Sequence, residues 1–141
     1  MVLNENIINS LMENLKANNM KPYFVNTRDE AKELVLSLIS EGDTVANGGS
    51  VTLNETGVLQ ALRERDDVTL LDKSKEGLTK AEIDEINLKA FTTDVYLMST
   101  NALTLNGELY NVDGNSNRVA ALLYGPKSVI IVCGVIFLHF S

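Results

Sequence analysis

The chain has one cysteine and one histidine, and each scarcity removes a class of function. Cys133 has no second cysteine with which to form a disulfide, and no residue stands at a metal-ligand spacing from it, so neither a disulfide framework nor a metal site is expected. It lies in the apolar run SVIIVCGV, where a buried strand cysteine is the expected reading. His139 sits in the terminal GVIFLHFS and has no second ligand or triad partner, so it carries no catalytic signal. Basic residues are also short: 12 Lys and Arg against 19 Asp and Glu give a formal charge of -7, with no basic cluster. A nucleic-acid backbone is therefore not an expected partner. Met1 to Asn19 is too polar for a signal peptide. The terminal apolar run is about thirteen residues, short of the roughly twenty that a membrane span needs. A cytoplasmic protein with no membrane span is expected.

What is present suits one folded domain over residues 1–141. A chain of 141 residues can bury a real core, and 45% hydrophobic with 22% charged residues is a globular balance. Ile7, Ile8, Leu11, Met12 and Leu15 recur at helical intervals within Asn4 to Asn18. Lys21 to Val25 reads as a short strand. Asn26 or Thr27 then caps a helix whose buried face is Leu34, Val35, Leu38 and Ile39 and which Gly42 stops. Asp43 to Ala46 is a strand, Leu53 to Arg65 a helix, and Val68 to Asp72 a strand. Thr79 to Phe91 is a helix opened by the capping box T-K-A-E, and Asp94 to Ser99 is an apolar strand. Strands alternating with helices specify a mostly parallel α/β sheet with helices on both faces.

Ala102 to Val112 breaks the alternation. Asn106-Gly107 lies between two short runs, which predicts an antiparallel hairpin closed by a two-residue type I′ turn. Asn117 to Tyr124 follows as a helix ended by Gly125-Pro126, and Ser128 to Cys133 as a buried strand. The tail VIFLHFS carries no cap, no charge and no helix, and a chain cut short or shifted in frame is expected there.

Ligands of open parallel sheets bind beyond the carboxyl ends of the strands. Three polar segments meet that condition. In the first, Asn47 to Glu55, Gly48 and Gly49 let backbone N–H groups converge on an anion, Ser50 and Thr52 add hydroxyls, and the next helix points its positive end there. No Walker A or G-x-G-x-x-G pattern is present, so no nucleotide is implied. The second segment is Ser99, Thr100, Asn101 and Ala102. The third, Asn111 to Arg118, brings Asn111, Asp113, Gly114, Asn117 and a cation, Arg118, to a helix start, where a positive charge opposes the dipole and suggests anion capture. Asp113 is the best-placed carboxylate for acid–base work, with Glu55 second. Each of these residues alone also suits a turn or cap.

These residues also carry a resemblance. GGSVTLNETG, STNALTLNGELYNVDGNSNRVAALLYGP and VIIVCGV resemble the LUD domain of lactate utilization proteins, over roughly Asn14 to Val135. The resemblance implies a fold like that of ribose-5-phosphate isomerase, glucosamine-6-phosphate deaminase and CoA-transferases. It implies a bacterial protein of L-lactate oxidation to pyruvate that binds a small anionic metabolite, a carboxylate or phosphate, and works beside iron–sulfur partner subunits. No cofactor follows from it, and it is compatible with a homo-oligomer. By position it carries over Gly48, Gly49, Ser50, Thr52 and Glu55, then Ser99, Thr100 and Asn101, then Asn111, Asp113, Gly114, Asn117 and Arg118. The shared fold also admits an isomerase or acyl-transfer enzyme using Asp113 or Glu55, or a non-catalytic subunit that docks to redox partners. The pattern departs at Ile136 to Ser141, where family members continue with Asn-Lys-Ile-Val, several dozen further residues and often a cysteine-rich segment.

Overall fold

In the computed structural model, residues 4–134 and 136–140 are described, the latter five by backbone alone. Residues 135 and 141 of the apolar tail and the side chain of His139 lie outside that description. The elements in chain order are α1 (Glu5–Ala17), β1 (Lys21–Phe24), α2 (Arg28–Ser37), β2 (Thr44–Asn47), α3 (Val51–Thr56), α4 (Val58–Glu64), β3 (Thr69–Leu71), α5 (Lys80–Lys89), β4 (Val95–Met98), β5 (Ala102–Leu103), β6 (Leu109–Tyr110), α6 (Asn117–Leu123), β7 (Ser128–Cys133) and β8 (Ile136–Phe140).

Six strands form one sheet in the order β1-β8-β7-β4-β2-β3. The four from β7 to β3 run parallel, while β8 is antiparallel to both β7 and β1. The α/β class and the helices on both faces are as the alternation requires. β4 shows why: all four of its residues are buried. Val95 and Leu97 pack with Ala31, Val35, Leu53, Val58 and Leu62 of α2, α3 and α4. Tyr96 and Met98 pack on the other face with Leu11 and Leu15 of α1, Ala121 of α6 and Ala90. A period of two along one strand thus feeds two cores.

Local chemistry sets most boundaries. Thr27 caps α2 through its side chain, and Thr79 with Glu82 forms the capping box of α5. Three expectations are corrected. The helix expected from Leu53 to Arg65 is two helices, because Gly57 takes a left-handed φ of 79° between them. The N-terminal half of the polar segment after β2 is short, since α3 begins at Val51. The hairpin exists, with Ala102 opposite Tyr110 and Leu103 opposite Leu109, but its turn is not type I′. Gly107 N–H donates to the Thr104 carbonyl at 3.0 Å. Gly107 alone adopts positive φ, at 81°, where type I′ needs it at Asn106 too. The apolar tail is itself a strand: Gly134, at φ 56°, reverses the chain so that Cys133 faces Ile136.

Candidate functional site

The parallel strands end on one edge, and the segments after β2, β3 and β4 meet there with the loop that leads into α6. Between them is a cleft of about 520 Å³. Gly49, Asn101, Asp113, Asn117 and Arg118 line it together with Lys73, Ser74, Asn87 and Asn115. A larger hollow of about 710 Å³ along β3 is lined by apolar residues such as Leu62, Val68, Leu70 and Ile86 and equally by polar ones such as Arg63, Arg65, Asp72 and Glu76, and holds none of the residues singled out from the sequence.

Arg118 is the knot of the cleft. Its Nε donates to Asp113 Oδ1 at 2.8 Å, Nη1 to the Ser99 carbonyl at 3.1 Å, and Nη2 to Asn101 Oδ1 and the Val112 carbonyl at 2.5 and 3.2 Å. One guanidinium therefore fastens the segment after β4 to the loop before α6. Asp113 is as fully committed: its Oδ2 accepts the Val119 N–H at 2.6 Å, capping the start of α6. The two side chains are about nine-tenths buried, at 11% and 10% exposure, and neutralise each other.

Lys73 is the remaining cation. Its Nζ donates to Asn87 Oδ1 at 3.4 Å, and no carboxylate among the described residues forms an ion pair with it. Burial pushes the Lys73 ammonium below the ordinary lysine range; Asp113 opposes that shift and Arg118 adds to it. Beneath the first loop lies Tyr96, 2% exposed, whose phenol is pushed up to about 12, first by burial and then by the Asp113 charge.

The glycines have separate reasons. A Cβ on Gly48 would sit 3.1 Å from Tyr96 Oη and 3.3 Å from Arg118 Cδ, tight enough that those side chains would have to shift by a few tenths of an ångström. Gly49 has open space where a side chain would go and no positive φ. Gly48 N–H is spent on the Leu97 carbonyl at 2.8 Å. Ser50 caps α3 by accepting the Leu53 N–H at 3.1 Å. Asn47 is buried as the last residue of β2, and its Oδ1 has no hydrogen-bond partner among the described residues.

The structure does not bring all the sequence-derived residues together. Thr52 and Glu55 share one face of α3 and line a different hollow, of about 360 Å³, with Asn26, Thr27 and Arg28. Glu55 there pairs with Arg28 at 3.5 Å, both side chains exposed. Thr100 Oγ1 lies 3.1 Å from both the Tyr110 carbonyl and Asn111 Oδ1, so Thr100 and Asn111 fasten the base of the hairpin. Gly114 lies in the third loop with nothing near its Cα to crowd a side chain. Lys73, Ser74 and Asn87 are polar cleft residues outside the three segments that motif reading singled out. A signal for Lys73 existed, because the D-K-S-K segment follows a parallel strand and obeys the same edge rule as the other loops.

Among the described residues no group of acidic, His or Cys side chains could hold a metal ion, and no helix is long and apolar enough to cross a membrane. Compared with known proteins, residues 8–138 match the family model of the LUD domain. No curated protein and no solved structure matches the chain.

Proposed function

The chain belongs to the LUD domain family, and we propose that its cleft binds a small anionic metabolite, a carboxylate or a phosphate, in lactate utilization. One observation carries the reading. Arg118 and Asp113 cancel within the cleft, and Lys73 is left as a cation whose hydrogen-bond acceptor is a neutral carboxamide. A half-buried ammonium without a counter-ion is costly, and an anionic ligand beside it relieves that cost. Asn87, Asn101, Asn115, Asn117 and Ser74 surround it with neutral polar groups that orient a ligand without adding charge. A volume of about 520 Å³ suits a small metabolite.

Asp113 holds the binding loops rather than acting as a free base, because both its oxygens already accept hydrogen bonds. Iron–sulfur subunits are the partners we propose for lactate oxidation.

Isothermal titration with lactate, pyruvate, sugar phosphates and CoA esters tests the site. At least one is expected to bind, and Lys73→Met is expected to abolish that binding with the fold intact by circular dichroism. Silence from every compound with a folded protein would overturn the reading.

A further inference from the structure

We propose that Lys73 is a carbonyl-reactive amine, which condenses with an aldehyde or ketone held in the cleft to form an imine. The inference rests on the anion cleft described above but asks more of it than binding. Reactive lysines are kept from stable ammonium by desolvation, and half-burial in the cleft supplies it. Lys73 is half-buried, and the charged groups that share the cleft with it are Asp113 and Arg118. The carboxylate of that pair is taken by Arg118 at 2.8 Å. Asp72, the preceding residue, is held by Arg63 at 2.6 Å.

Four other lysines differ in partner: Lys16, Lys80, Lys89 and Lys127 pair with Glu13, Asp84, Glu85 and Asp94 in turn, which favours the ammonium form. Lys21, Lys32 and Lys75 share with Lys73 the lack of an ion pair among the described residues but do not line this cleft. Lys73 has a 3.4 Å hydrogen bond to the neutral Asn87 Oδ1. The pKa direction agrees with the geometry. In the reaction the amine lone pair adds to the carbonyl carbon, forming a C–N bond. The carbonyl oxygen then leaves as water with the two protons of the amine, and a C=N bond remains. Nothing is oxidised or reduced.

The test treats the full chain at neutral pH with sodium cyanoborohydride and either glyoxylate, an anionic aldehyde, or glycolaldehyde, a neutral one. Peptide mass spectrometry then locates the reduced adducts. With glyoxylate, Lys73 should be the dominant modified lysine, and added oxalate should suppress its labelling. Lys73→Arg should lose that adduct completely, with the fold intact by circular dichroism. Labelling spread over the exposed lysines with no preference for Lys73 overturns the proposal. Oxalate binding without Lys73 labelling also overturns it, and leaves the anion cleft standing. Lys73 labelled by glycolaldehyde with no oxalate binding supports the reactive amine and counts against the anion cleft.

Discussion

Arg118 is legible in the sequence as a cation at a helix start, but its role is not. A positive charge at a helix start opposes the dipole and on that ground suggests an external anion. The structure answers with Asp113, five residues earlier, and with the carbonyls of Ser99 and Val112. Such long-range carbonyl acceptors have no signature in sequence. A planar fork with donors at fixed angles reaches four acceptors at once, which a lysine cannot imitate. Arg118→Lys is therefore expected to cost about 1–3 kcal/mol, the range for buried charge-assisted hydrogen bonds. A urea midpoint equal to that of the parent would remove the clamp from the account. Asp94 gives a pH-dependent counterpart. Its carboxyl is held down to about 2 by the hydrogen bond from Lys127, then by those from the Thr44 backbone and side chain. Its ordinary value is 3.8, so the stabilisation is complete above that pH and is lost as pH falls toward about 2. Asp94→Asn should flatten the acid limb of the stability curve in this window, as read by urea melts at successive pH values.

At the scale of elements, signals that act within a few residues were legible and those set by packing were not. The capping box of α5 needs only Thr79 and Glu82, and it forms as read. The hairpin needs alternation and an Asn-Gly pair, and it also forms, yet the turn type is decided elsewhere. Asn14 Nδ2 donates to the Leu105 carbonyl at 2.8 Å, and Asn18 Nδ2 to the Gly107 carbonyl at 2.9 Å. The loop is thus fitted to the end of α1, some ninety residues away in sequence. Gly107 is pressed there so closely that an added Cβ would lie 2.9 Å from the backbone of Asn14 and Leu15. Gly107→Ala combines that clash with positive φ and should destabilise by about 1–3 kcal/mol. Hydrogen exchange would show faster opening of β5 and β6, and unchanged exchange there would contradict the docking. The break between α3 and α4 had a visible cause in Gly57, but a lone glycine is tolerated in many helices. Strand β8 had no such signal, because an apolar run bounded on one side reads equally as strand or as buried helix.

For the whole molecule, the edge rule for parallel sheets points to the edge where Gly49, Asn101, Asp113, Asn117 and Arg118 line one cleft, and helical periodicity explains why Thr52 and Glu55 lie elsewhere. Gly49 precedes α3 and faces the cleft, whereas Thr52 and Glu55 are three residues apart on the face turned toward α2. The same architecture makes a prediction about cooperativity. β4 and β7 supply Leu97, Ile130 and Val132 to one core and Tyr96, Met98 and Ile131 to the other. Neither core can melt without exposing strands that the other needs, so the described sheet should unfold in one step. Leu97→Ala and Met98→Ala delete wholly buried side chains on opposite faces, and each should cost about 2–5 kcal/mol. Both should shift one and the same calorimetric transition, with ligand binding lost at that transition. Two separable transitions, each moved by only one of the variants, would mean that the faces are independent and that β4 does not couple them.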